Sequence, residues 1–88
     1  MQISFGPEAI DHLHHWITND PKMARKILDL LADARRSPFR GLGKPEPLKG
    51  DLKGWWSRRM DDEHRMIYRV VGSGEAQYLE VSQCRWHY

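Results

Sequence analysis

Cysteine is all but missing from this 88-residue chain, which carries one thiol, Cys84. A lone thiol cannot close an internal disulfide, so a disulfide scaffold is excluded and a reducing compartment fits. Cys84 lies in an apolar, strand-like pattern without an activating neighbour, and a buried structural role is expected. Also missing is any apolar run near the roughly 20 residues of a membrane span. The N-terminal MQISFGPEA has neither the basic nor the apolar region of a secretory signal. A cytoplasmic protein is therefore expected. There is no internal repeat and no low-complexity segment, and the length suits one domain, residues 1–88. Metal-ligand spacing is absent as well. His12 and His15, at i and i+3 of a helix face, could hold two corners of a metal site, but no cysteine or acidic pattern completes it. They read as a polar helix face, and no metal or cofactor is expected.

What is present is an ordinary globular composition, 40% hydrophobic and 30% charged, with an uneven distribution of charge. The formal net charge is +2. Residues 1–34 carry three Lys/Arg against five Asp/Glu, residues 35–69 ten against five, and residues 70–88 one against two. The middle third, at +5, is a basic surface that would attract phosphates through counterion release. A merely solubilising surface fits the charge equally well.

Gln2 to Phe5 alternates in polarity and reads as a short strand. Gly6-Pro7 with Glu8 suits a helix start, and Ile10, Leu13, Trp16 and Ile17 recur at helical spacing as one apolar face. Asn19-Asp20-Pro21 ends this helix and starts a second, with Asp20 as cap and Pro21 in the first position. Met23, Ile27, Leu30, Leu31 and Ala34 form its apolar stripe, up to about Arg36, and Ser37-Pro38 stops it. Residues 37–54, rich in Gly and Pro, read as loop with a short strand near the end. Trp55–Met60, Arg65–Val71 and Gln77–Cys84 are strands, turned at Asp61-Asp62-Glu63 and Gly72-Ser73-Gly74. The order β-α-α-β-β-β predicts an α+β domain, a helical hairpin on a small, twisted, mostly antiparallel sheet.

One carboxylate, Glu46, stands between Pro45 and Pro47, where Lys44-Pro45-Glu46-Pro47 should be stiff and extended. Metal-free RNA cleavage needs a base for the ribose 2′-hydroxyl, cations for the crowded phosphate and an acid for the leaving 5′-oxygen. Glu46 is the candidate base, with Lys44, Lys49 and Lys53 as neighbouring cations that would favour its ionised form. His87 is the candidate acid, since imidazole titrates near neutrality. Arg58, Arg59 and Arg65 can aim guanidinium forks at phosphate oxygens. Tyr88 can stack on a base or bond the phosphate. Trp55 and Trp56 should face opposite sides of their strand, one in the core and one free for a ligand. The same residues also fit a solvated sheet face, an exposed loop and a frayed chain end.

The blocks Arg35-Arg36-Ser37-Pro38-Phe39, Gly43-Lys44-Pro45-Glu46-Pro47-Leu48-Lys49, Trp56-Ser57-Arg58-Arg59, Glu63-His64-Arg65 and Cys84-Arg85-Trp86-His87-Tyr88 occur together. In them the chain resembles the YoeB/Txe branch of the RelE toxin superfamily, the toxin halves of bacterial toxin–antitoxin modules. The resemblance implies a RelE-like fold and a metal-independent mRNA endoribonuclease acting in the ribosomal A site, so an mRNA interferase that inhibits translation. It also implies a cognate antitoxin as partner, no membrane contact and scope for a homodimer. It places the general base at Glu46, transition-state stabilisation at Arg65 and the general acid at His87, with Lys49, Arg59 and Tyr88 on RNA. Trp55 and Trp86 are larger aromatics than the family pattern suggests, and the 72–77 hairpin is longer. Two other readings stand beside this one: a non-catalytic, ParE-like poison of DNA gyrase, and a plain RNA-binding module.

Overall fold

A computed structural model describes residues 1–86. Chain order is β1 (Gln2–Phe5), α1 (Pro7–Asn19), α2 (Pro21–Arg36), β2 (Glu46–Pro47), β3 (Trp56–Arg59), β4 (Arg65–Val71) and β5 (Tyr78–Gln83), with single 3-10 turns at Gly50–Leu52 and Gly74–Ala76. The five strands form one mixed sheet in the order β1-β5-β4-β3-β2. The predicted meander is there, with β3, β4 and β5 antiparallel in succession, and β1 adds to it parallel to β5. Two details differ from the expectation. The short strand of the 37–54 loop, β2, lies at Glu46–Pro47 rather than near the end of the loop and pairs antiparallel with β3, and β3 itself begins at Trp56 rather than Trp55.

The helix boundaries follow from their punctuation. Gly6, in extended conformation, donates its N–H to Val81 O at 2.9 Å, and Pro7 opens α1 without leaving a donor unpaired. Asp20 N–H closes α1 on Trp16 O at 2.7 Å, and its carboxylate accepts from Met23 N at the start of α2. Both helices cover one face of the sheet. The core joins Ala9 and Trp16 of α1, Ala24, Ile27, Leu30, Leu31 and Ala34 of α2, and Met66, Tyr68, Leu79 and Val81 of the strands.

The stripe on α2 is as the spacing predicts, but the face of α1 is not. Ile10 and Ile17 are 50% and 56% exposed, while Ala9, His12 and Trp16 are buried. The helix is rotated so that Trp16, the largest side chain available, enters the core and its indole N–H reaches Cys84 O at 2.8 Å. His12 belongs to this buried face rather than to a polar one. Cys84 is fully buried, as expected, and burial pushes its thiol up to about 12.

Candidate functional site

Strand alternation sorts the basic residues of β3 onto two faces. Trp56 and Arg58 point towards the helices, and Ser57 and Arg59 away from them. Register extends that second face sideways, because directly opposed residues share a side. Glu46 pairs with Ser57, Ser57 with Ile67, and Arg59 with Arg65. Glu46, Arg59 and Arg65 therefore stand on the helix-free face, over a floor of Ser57 and Ile67, both almost fully buried. Glu46 and Arg65 are two strands apart and offset by two residues, which puts their Cα atoms roughly 12 Å from each other. That gap accepts a phosphodiester between a glutamate and an arginine side chain.

Glu46 is exposed, and among the described residues no ion pair involves it, with Lys44, Lys49, Lys53 or any other cation. Lys49 is exposed just beyond β2. Arg65 is half-buried, and one terminal nitrogen donates to the carbonyls of Asp61 (2.7 Å) and His64 (3.0 Å), which holds the stem without occupying the whole fork. The β3–β4 turn beneath it is built on Asp61, whose carboxylate accepts from the N–H groups of Glu63 and His64. Arg59 is exposed and also lines a cleft of about 410 Å³ with Lys26, Lys44, Asp29, Asp61 and Asp62. Its mixed charge gives that cleft little net pull on phosphate, unlike the face carrying Arg59 and Arg65. His87 and Tyr88 lie outside the described residues.

Arg58 corrects the expectation of a third phosphate-facing arginine. Its side chain is fully buried. The Nε donates to Tyr68 Oη (3.0 Å), one terminal nitrogen to Asp33 Oδ2 (2.6 Å) and Leu42 O (3.0 Å), and the other to Ser37 O (2.7 Å) and Arg40 O (3.0 Å). All five N–H donors of the guanidinium are used, and none remains for a ligand. Tyr68 Oη also donates to Pro38 O. Arg58 thus ties the 37–42 loop to the sheet, and hydrogen bonding to Arg58 holds the Asp33 carboxyl below its ordinary value.

The loop continues to Glu46 through a second anchor, Arg59 N–H to Gly43 O at 2.7 Å. Gly41 and Gly43 have φ of +114° and +79°. A Cβ on Gly41 would meet Asp33 Oδ2 at 2.2 Å, so only glycine lets the loop approach the ion pair this closely. Lys44 departs from the extended conformation predicted before a proline, with φ of +51°. The turn there swings the chain from the Gly43 anchor into β2, where Glu46 gains its fixed register. Trp56 is half-buried against the core and the Phe39 ring, and Trp55 lies against the Arg69 guanidinium 4.4 Å from its ring centroid. Trp55 continues the alternation of Ser57 and Arg59, and Arg69 that of Arg65 and Ile67, so the two tryptophans face opposite sides as expected, and Trp55, on the helix-free side, already carries the Arg69 guanidinium.

His64, His12 and Trp16 escaped sequence reasoning as site-building residues, because their targets are backbone groups near the chain end. Cys84 N–H donates to His12 Nδ1 at 3.1 Å and Trp86 N–H to His64 Nδ1 at 2.7 Å. Trp86 O accepts from Arg65 N at 3.1 Å, so the residue preceding His87 is fastened to the backbone of Arg65.

Against known families, residues 5–88 match the YoeB-like toxin of bacterial type II toxin–antitoxin systems. The chain belongs to the YoeB toxin family. This YoeB-family chain is 46% identical over 88 residues to a toxin YoeB of Streptomyces coelicolor, with both proteins covered completely. A solved structure described as a YoeB/ParE toxin from Agrobacterium tumefaciens superposes with a TM-score of 0.97 at 53% identity, over the whole of both chains. The YoeB of a heterotetrameric YoeB–YefM toxin–antitoxin complex from Staphylococcus aureus superposes with a TM-score of 0.87 at 37% identity, over 100% of this chain and 98% of that one. The RelE-like α+β fold read from the sequence is the one observed, and the protein is a YoeB-family toxin of the type II class. Among the described residues, no helix is long and apolar enough to cross a membrane.

Proposed function

We propose that this YoeB-family toxin is a metal-independent mRNA endoribonuclease that cuts RNA in the ribosomal A site. The observation that carries the reading is register: Glu46 and Arg65 share the helix-free face, and Trp86 is fastened to Arg65 directly before His87. Glu46 takes the proton of the ribose 2′-hydroxyl, and the 2′-oxygen bonds to phosphorus. Arg65 stabilises the charge on the phosphate oxygens, and His87 protonates the 5′-oxygen as its bond to phosphorus breaks. The products are a 2′,3′-cyclic phosphate end, or its hydrolysis product, and a 5′-hydroxyl end. Lys49, Arg59 and Tyr88 hold the RNA, the cations by phosphate contacts and the phenol by stacking or a hydrogen bond. The partners are the ribosome with its mRNA and a cognate antitoxin, as the Staphylococcus aureus complex has for its YoeB. The basic 35–69 region suits an acidic antitoxin segment that folds on binding.

The test is cleavage of ribosome-bound mRNA by Glu46→Ala, Arg65→Ala and His87→Ala proteins, with RNA ends mapped in the presence and absence of translation. Loss of translation-dependent ends in all three is expected. Undiminished cleavage in the three, or gyrase–DNA cleavage complexes in intoxicated cells, would remove the mechanism. In single turnovers on saturated ribosomes, cleavage should also fall as the pH rises and His87 loses its proton; a flat profile to about pH 9 points to another donor.

A further inference from the structure

Beyond β5 the chain runs as a strap, Cys84–Trp86, that forms no strand of its own. Backbone amides outside a sheet need other partners, and two on this strap find imidazoles that are themselves 8% and 9% exposed, His12 and His64. The strap's carbonyls are held as well, Cys84 O by the Trp16 indole and Trp86 O by Arg65 N. Trp16 packs edge-on to His64, and His12 edge-on to the Trp86 ring. Trp86 has φ of +64°, a conformation that a bulky residue keeps only when its surroundings enforce it. Here its N–H and C=O are both clasped.

An imidazole that accepts at Nδ1 carries its proton on Nε2 and is neutral. For His64 the surroundings match this tautomer, since Nε2 faces Glu63 Oε1 at 3.4 Å. Charging the ring puts a proton on Nδ1, where it meets the Trp86 N–H, donor against donor. The clasp therefore exists only while the ring is neutral.

We propose that His64 is a positioning residue for RNA cleavage, its neutral Nδ1 fixing Trp86 and with it the start of the chain end beside Arg65, while His12 fixes the strap at Cys84. The proposal rests on the nuclease reading above. The groups that bear on the two rings come from every surrounding element. Asp61, Glu63 and Arg65 of the turn and β4 flank His64. Glu8, Asp11 and His15 of α1 and Arg85 of the strap act on His12, whose burial is the main influence and favours the neutral ring. Protonation of either ring opens its clasp, and at His64 it releases Trp86 from its place beside Arg65.

Two experiments test it. In the whole toxin, an NMR titration from about pH 8 to about pH 5 should move the Trp86 amide with the same midpoint as the His64 ring; independent movement overturns the proposal. In ribosome-bound cleavage, His64→Asn places an amide oxygen where Nδ1 stands but cannot be charged. It should cut at close to the wild-type rate and show a smaller acid-side fall, only the part that comes from protonating the base Glu46 remaining. His64→Ala should lose at least about tenfold at every pH, the scale of a misplaced catalytic group, with melting temperature and antitoxin binding as checks on folding. A wild-type rate for the alanine variant, or an unchanged acid limb for the asparagine variant, overturns the proposal. If the alanine variant does not fold, the asparagine variant and the titration decide. Wild-type toxin that cuts nothing overturns the nuclease reading and with it the role in cleavage, and the titration then decides the clasp by itself.

Discussion

Arg58 and Arg59 are neighbours in one short strand and do opposite things. Arg58 is fully buried, with each of its five donors committed to Asp33, Tyr68 or a loop carbonyl; Arg59 is exposed on the other face beside Arg65. One residue of rise turns a side chain through to the opposite side of a sheet, so identical chemistry lands in a low-dielectric core or in water. A buried guanidinium is tolerated only when paired and fully hydrogen-bonded, and it then acts as a rivet for the loop around it. An exposed one contributes little to stability and is free to bind.

The largest effect expected from breaking this contrast is on the buried side. Arg58→Ala removes the buried partner of Asp33, which keeps only Arg36 and the Leu42 N–H, and leaves three loop carbonyls without their donor, and thermal unfolding should shift down by about 10 °C or more. Arg58→Lys should fall almost as far, because an ammonium has three donors where five are used. Next comes Glu46, held on the exposed side by a loop the rivet secures. Glu46→Ala should lower cleavage roughly 10²- to 10⁴-fold with an unchanged melting curve. Loss of both activity and stability in that variant would mean Glu46 is structural.

Acid should sharpen the comparison by a smaller amount. Burial holds His12 below its ordinary value, so the unfolded chain takes up a proton first, and stability should decline as the pH falls below about 6.5 and level off once the folded ring charges. Asp33, held low by Arg58, contributes stability that is fully present above about pH 4 and lost as the pH falls through its lowered folded value. Urea unfolding at successive pH values should show both declines, with the lower one smaller in Arg58→Ala, where only the Leu42 N–H and Arg36 still hold the carboxyl low. The smallest effect belongs to Arg59→Ala, with stability changed by no more than about 0.5 kcal/mol. Its mark should instead be an RNA-binding salt dependence shallower by about one ion.

Much of this protein was legible in its residues because the signals are local. Gly6-Pro7, Asn19-Asp20-Pro21 and Ser37-Pro38 mark the observed helix ends, and Ile27, Leu30, Leu31 and Ala34 are buried as their spacing says. The face of α1 was misread because periodicity weighs Ile10 and Ile17 above His12, whereas packing follows Trp16 and its bond to Cys84 O. β2 is too short to carry a pattern; it exists because Gly43 and Leu48 are pinned to β3 and its neighbour Trp55.

By itself the sequence determined the helical hairpin, the meander and the family, and it named Glu46, Arg59 and Arg65 as candidates, since caps, periodicity and motif blocks are properties of neighbouring residues. Only the tertiary structure decided which arginine is a rivet and which stands exposed on the helix-free face. It alone brought Glu46 onto the face of Arg65, and it alone showed two histidines clasping the strap. Those assignments depend on register and on partners as many as 72 residues apart, such as His12 and Cys84, which no local signal encodes.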